Sequence, residues 1–423
     1  MSLPPQPFPA ILCAIFLATA IPLLAAPAAQ EPGALPAWTE LRSLQFRGGL
    51  RAFWNIGAPD REQAEREAVA HGFELVDLLN TYSDYPGKSR EKIVPDGRNP
   101  WNKPPFFERI IRRNVQDMRG LSIFVHDIEF KFGGKISDLW KDPALRAASK
   151  AKTEEEFREA YYREWASWYT LPCAWAKERF PNTPVGIYGV QPFGRDYWGF
   201  ERMNLEQLMK VHAADAIFWQ YIDNAVDFSI SSIYCFYDHP ASLYYMAANV
   251  EENHRWMRAH GNKPVFAYVW LRYHDSNKNL KGRELDDYLV EAMAVLPYFY
   301  GARGLVLWGW EPEGKAPYYR TLPLFLRSLG RVADLSDKLG RAEMISEEPV
   351  HLLWRAKRPL VRKLRVGPAE WLVLVAYPWQ PEGEEKVVPL VLGSTEYRLT
   401  VRGKHTEIYH VVEGRPTRID MMP

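Results

Sequence analysis

The stretch FVHDIEF, residues 124–130, ends an apolar run in two carboxylates one residue apart. On a β-strand, residues i and i+2 project from the same face, so Asp127 and Glu129 share one side, rooted roughly 6–7 Å apart. Like charges this close resist ionising together, and one of the pair is expected to hold a proton near neutral pH. An acid beside a charged neighbour is equipment for general acid–base chemistry. Taken alone, the same pair could equally cap a helix or meet Arg113 or Lys131. The elements that position it have to decide.

Seven apolar runs precede residue 345: LRAFWNI (50–56), FELVDLL (73–79), LSIFVHDIE (121–129), PVGIYGV (184–190), SISSIYCFY (229–237), PVFAYVWLRY (264–273) and RGLVLWGW (303–310). Helical stretches such as FREAYYREWASWYTLPCAWAKERF and SLYYMAANVEENHRWMRAH lie between them. The alternation predicts an α/β fold, a distorted (β/α) TIM-like barrel. A barrel is preferred to an open sheet because several strands end in polar or aromatic tips, as in HDIE, IYGVQPF, YCFYDH and LWGWEP; an open sheet would gather them at one switch point. From about Ile345 the pattern changes to HLLWRA, LVRKLRV, EWLVLVAYPW, KVVPLVLG, EYRLTVRG and EIYHVVEG, which predicts a small C-terminal all-β sandwich with a buttressing role. The expected division is a signal segment over 1–28, a catalytic barrel over 29–340 and a sandwich over 345–423.

Composition narrows the partners. The 53 Lys and Arg nearly balance the 52 Asp and Glu, which argues against a dedicated nucleic-acid binder and gives no support for a basic membrane-surface protein. No helix opens with a Gly-rich phosphate loop, so no nucleotide cofactor is expected. The 16 Trp, 22 Tyr and 20 Phe serve either a large core or the stacking of flat rings on sugar C–H faces. Residues 1–30 carry no charged side chain, and the run Ile11–Ala26 leads into APA at 26–28. This reads as a cleaved secretory signal rather than a membrane span, placing the mature chain outside the cell or in the periplasm. Cys13 falls in that segment, leaving Cys173 and Cys235, too few for a disulfide scaffold. His126, His239 and His274 form no H-x-H or H-x-x-x-H spacing, and strand alternation turns His126 away from the acids, so no metal site is expected.

With these segments in view, the chain resembles the hyaluronidase family of glycoside hydrolases. The likeness runs in order through FWN near the first strand, D-I-E at 127–129, GIYGVQPF at 186–193, SSIYCFYDHP at 231–240, PVFAYVWLRYHD at 264–275 and GARGLVLWGWE at 301–311. It covers roughly residues 45–315. The resemblance implies retaining cleavage of a β-linked N-acetylhexosamine, with the substrate's acetamido group as nucleophile. Glu129 would then protonate the leaving oxygen and Asp127 would orient the acetamide. Tyr188 and Tyr234 would hydrogen-bond in the pocket, and Trp308 would form its wall. Trp54 and Asn55 of FWN, Tyr268 and Glu311 would contact the sugar. After Glu129 the chain reads FKFGGK, where animal members carry a Trp- and Arg-rich stretch, which changes the groove for a polyanion; Lys131, Arg195 and Arg272 are the cations left to meet a uronate, or else solvated surface charges.

Two other readings stay open. Glu129 could pair with Glu311 as a protein nucleophile on a non-acetylated sugar, about 5–5.5 Å away in the retaining geometry. A non-catalytic barrel that binds glycans through its rings would need neither acid.

Overall fold

Several of the polar and aromatic strand tips belong to loops, because the regular strands that lead to them stop early. The computed structural model describes residues 41–57, 61–82, 97–130, 132–193, 197–310, 319–345 and 347–420; the signal segment, Lys131, Arg195 and Glu311 lie outside them. All seven expected strands form: β1 (Arg51–Gly57), β2 (Glu74–Asn80), β3 (Ile123–Asp127), β4 (Val185–Tyr188), β5 (Ser229–Ser232), β6 (Val265–Val269) and β7 (Gly304–Trp310). They make one parallel sheet in the order β4-β3-β2-β1-β7-β6-β5. Strands β4, β5 and β6 are buried at every position, as parallel strands covered on both faces must be.

The sheet curls until β4 approaches β5, and side chains finish what backbone pairing does not. Asp227, just before β5, donates its N–H to the Val185 carbonyl and accepts from the Val185 N–H with its carboxylate, each at 2.8 Å. Lys177 holds that carboxylate at 2.8 Å. Gly186 is required here, because a Cβ would come within 2.2 Å of the Phe228 ring. At the other end of the seam the Tyr188 and Ser232 hydroxyls meet at 3.0 Å.

Helices sheathe the barrel. The longest, Glu154–Arg179, starts at Thr153, whose hydroxyl accepts from the Glu156 N–H, and it contains Pro172. A proline lacks an N–H, which frees the carbonyl four residues earlier; the Tyr82 hydroxyl takes that Trp168 carbonyl. None of the described helices is long and apolar enough to cross a membrane.

After the helix Leu322–Arg341 come β8 (Glu343–Met344), β9 (Leu360–Gly367), β10 (Glu370–Ala376), β11 (Glu385–Leu392), β12 (Thr395–Arg402), β13 (Thr406–Val412) and β14 (Arg415–Arg418). Five of them form an antiparallel sheet in the order β14-β13-β10-β9-β8, and β11 pairs with β12 as a hairpin. Alternation along β10 explains the layering: Val373 and Val375 pack with the hairpin residues Val388, Leu390 and Leu399, while Leu372, Leu374 and Ala376 join the main core. One expectation needs correcting. HLLWRA is a helix, Val350–Arg355, not a strand, and its one-turn spacing lets His351 and Trp354 both pack on Phe200.

Candidate active site

Strand β3 ends at Asp127, and the backbone there is pinned from both neighbours. The Thr81 N–H reaches the Asp127 carbonyl at 3.3 Å, and the Ile128 N–H reaches the Tyr188 carbonyl at 3.1 Å. Glu129 follows as the chain leaves the sheet, so the two acids do not sit on one regular strand as the spacing suggested. Even so they open onto one depression of about 180 Å³. Asp127 is half-buried and Glu129 exposed, with Ile128 between them buried in the core. A glycine sets the height of Glu129. Gly189 has φ +97°, and a Cβ on it would come within 2.4 Å of the Ile128 carbonyl oxygen and 3.1 Å of the Glu129 Cα. Only glycine both adopts this left-handed backbone easily and lets the two loops touch.

Alternation places His126 as expected. It points away from the depression, fully buried, with Nδ1 2.8 Å from the Thr81 hydroxyl, and burial pulls it down to about 3, so it remains a neutral ring.

Rings enclose the acids. Leu78, Tyr188, Tyr234, Tyr268, Trp270, His274, Asp275 and Trp308 complete the lining. Tyr188 touches Tyr268 at 5.1 Å and Tyr234 at 6.2 Å between centroids. Tyr234 in turn lies 5.8 Å from Trp308, and Trp270 meets Trp308 edge to face at 4.8 Å. Trp308 keeps part of its face exposed, whereas Tyr188, Tyr234 and Tyr268 are buried to their rings. Trp270 is fixed from behind by a hydrogen bond from its Nε1 to the Tyr319 hydroxyl at 3.2 Å. Gly309 leaves room for that hydroxyl, since a Cβ would approach it to 2.2 Å. Burial first, and the Asp127 charge second, push the Tyr268 phenol well above its ordinary value. It therefore stays a protonated, neutral donor beside the carboxylate. Asn55, inward on β1 and in register with Trp308, lies against Tyr268.

The structure thus brings together Asp127, Glu129, Tyr188, Tyr234, Tyr268 and Trp308, with Asn55 beneath them. Trp54 is elsewhere: it is 2% exposed and packs edge-on to Phe73 at 5.7 Å, on the opposite face of β1 from Asn55. Adjacent strand residues cannot face one cavity, so Trp54 belongs to the layer between sheet and helices. Arg272 lies over the Tyr319 ring at 5.1 Å and donates to the Gly282 carbonyl. His239 sits beside Trp354 and Trp379. Cys173 and Cys235 are both buried free thiols. Four lining residues escaped the sequence reading: Leu78, Trp270, Asp275 and, as a wall residue, His274. The signal for Trp270 was present, because it stands two positions beyond Tyr268 and so on the same side.

No family model matches the chain, and no curated protein matches it. Among solved structures it overlaps with bee venom hyaluronidase at 15% identity, covering 69% of this chain and 98% of that one with a TM-score of 0.45. A complex of the bee venom enzyme with a hyaluronic acid tetramer overlaps at 15% identity over 62% and 90% of the two chains, TM-score 0.41. A cold-adapted β-galactosidase from Rahnella sp. R3 overlaps at 9% identity over 70% and 52%, TM-score 0.43. Overlap at this level says nothing about chemistry, which must come from the residues of this chain.

Proposed function

We propose that the protein is a glycoside hydrolase, cleaving β-linked N-acetylhexosamine glycans of the hyaluronan or chondroitin type within the chain by retaining, substrate-assisted catalysis. The observation that carries this reading is the convergence of Asp127 and Glu129 on one ring-walled depression at the C-terminal end of a barrel strand, where barrel enzymes build their sites. In the first step the acetamido oxygen attacks the anomeric carbon as the glycosidic C–O bond breaks, and the Glu129 carboxyl proton passes to the departing oxygen. Asp127 accepts a hydrogen bond from the acetamide N–H, offsetting the positive charge that gathers on the cyclic intermediate. In the second step water attacks the same carbon, Glu129 takes its proton, and the acetamide re-forms with retained configuration. The Tyr188, Tyr234 and Tyr268 phenols offer neutral donors around the reacting sugar, and the Trp308 and Trp270 faces cover its C–H surface. The N-terminal sequence supports export by the secretory route, which mass spectrometry of the mature N-terminus, expected near Ala29, would test.

The decisive measurement compares acetylated with de-N-acetylated substrate. The acetylated polymer should be cleaved and the de-acetylated one should fail, Asp127→Asn should depress turnover strongly, and a thiazoline mimic of the intermediate should bind more tightly than the parent sugar. Equal cleavage of both polymers, with a fluorosugar trapped as an ester on Glu311, would overturn the assignment in favour of a protein nucleophile.

A further inference from the structure

The segment that follows β6 brings two more polar side chains to the same depression, His274 and Asp275. Their geometry is built rather than incidental. The His274 N–H donates to the Cys235 carbonyl at 2.8 Å, the Asn277 N–H to the His274 carbonyl at 3.0 Å, and Asn277 Nδ2 to the Phe236 carbonyl at 2.7 Å. The segment is therefore laced to the tip of β5, the same tip that carries Tyr234. The imidazole packs on Phe236 at 4.7 Å and on Tyr234 at 5.9 Å.

One contact fixes the proton of that ring. His274 Nδ1 receives the Ser276 backbone N–H at 3.2 Å and lies 2.9 Å from the Ser276 hydroxyl. A backbone N–H can only donate, so Nδ1 is the lone-pair nitrogen and the neutral ring carries its proton on Nε2. The next residue, Asp275, is exposed, and its carboxylate stands 3.6 Å from Lys281 Nζ in a pair exposed on both sides, the kind of contact a ligand exchanges at little cost. A fixed donor thus stands beside an acceptor at one corner of a ring-lined cavity, a combination matched to two neighbouring hydroxyls, one lending its oxygen and the other its proton.

We propose that His274 and Asp275 form the hydroxyl-reading corner of the site: His274 Nε2–H donates to one sugar hydroxyl and Asp275 accepts from its neighbour, so that sugars bearing an anionic ester at the Asp275 position are rejected. This rests on the glycan-cleaving reading above and adds to it a substrate class, unsulfated amino-sugar polymers. A sulfate ester at that hydroxyl removes the donated proton and sets a second negative charge against the carboxylate.

The test is calorimetric titration of chondroitin tetrasaccharides, unsulfated, 4-sulfated and 6-sulfated, into full-length Glu129→Gln protein and into the same protein carrying a second substitution. At least one sulfated form should bind about tenfold more weakly than the unsulfated one, and Asp275→Asn should close that gap to within about threefold. His274→Phe, which keeps the ring packing and loses the donor, should weaken all three by about three- to tenfold, the worth of one hydrogen bond. His274→Gln, which keeps a donor, should bind within about threefold of the parent. Equal binding of all three tetrasaccharides, a sulfate penalty that persists in Asp275→Asn, or parental affinity in His274→Phe overturns the proposal. The expected binding pattern without cleavage by the unsubstituted protein would sink the enzymatic reading and leave this one standing, whereas no binding of any tetrasaccharide overturns this proposal alone, since the enzymatic reading also covers hyaluronan.

Discussion

Two groups of acids in this molecule treat their charges in opposite ways. At the junction between the barrel helices and the C-terminal sheet, Glu291 and Arg331 are each 3% exposed and meet at 2.7 Å. Arg331 also donates to the Thr406 carbonyl, and His405 Nδ1 lies 3.0 Å from the second Glu291 oxygen. Glu251 is likewise buried against Arg362, whose guanidinium covers the Tyr300 ring at 4.2 Å. At the barrel mouth, Asp127, Glu129 and Asp275 are half-buried or exposed and stand among rings. A carboxylate taken out of water needs a cation and hydrogen bonds to remain charged there. Those at the junction are enclosed with both and belong to the architecture, while those at the mouth stay accessible to a ligand.

Substitutions should separate the two regions cleanly. Glu129→Gln is expected to keep the fold and the thermal midpoint while turnover falls by about 10² to 10⁴, the usual worth of a positioned acid; a folded variant with full activity would remove Glu129 from the chemistry. Arg331→Met should do the reverse, costing about 3–5 kcal/mol in denaturant unfolding because it strands the buried Glu291 charge, with activity per folded molecule preserved. Gly189→Ala tests a residue of the mouth on which backbone and site both depend. Its φ of +97° and the 2.4 Å approach to the Ile128 carbonyl predict a loss of about 1–3 kcal/mol in stability. Activity should fall along with it, since the displaced backbone is the one bearing Glu129.

The smallest effect concerns pH. The hydrogen bond to Glu291 raises His405 above 6.5, although burial opposes it. A raised value in the folded state means that folding favours the proton. The contribution is complete below pH 6.5, the ordinary value of a histidine in an unfolded chain, and fades as pH climbs through the raised value. The difference in denaturation midpoint between the natural chain and His405→Gln should therefore shrink from pH 6 to pH 8. An unchanged difference would remove His405 from the junction's electrostatics.

Strand periodicity made the barrel legible, and it failed where period and context part. All seven strands were visible because buried parallel strands read as unbroken apolar runs. HLLWRA was ambiguous for the same reason, since a short apolar run fits a strand or a single helical turn, and only the presence of Phe200 shows which was needed. Within the site, Asp127, Glu129, Tyr188, Tyr234, Tyr268 and Trp308 could be found from motif and strand position. Naming Trp54 together with Asn55 ignored that neighbours on a strand face opposite ways. His274 and Asp275 were hidden for a different reason: they act from a loop whose course depends on the Cys235 and Phe236 carbonyls, contacts with no sequence period.

The seam between β4 and β5 has its own consequence. A barrel closed by paired backbone along its whole seam would keep its closure and its pocket separate. Here Tyr188, whose hydroxyl meets Ser232 across the gap, also lines the depression that holds the acids. One side chain thus serves both the closure of the ring and the wall of the pocket, so a substitution at Tyr188 reaches the two together.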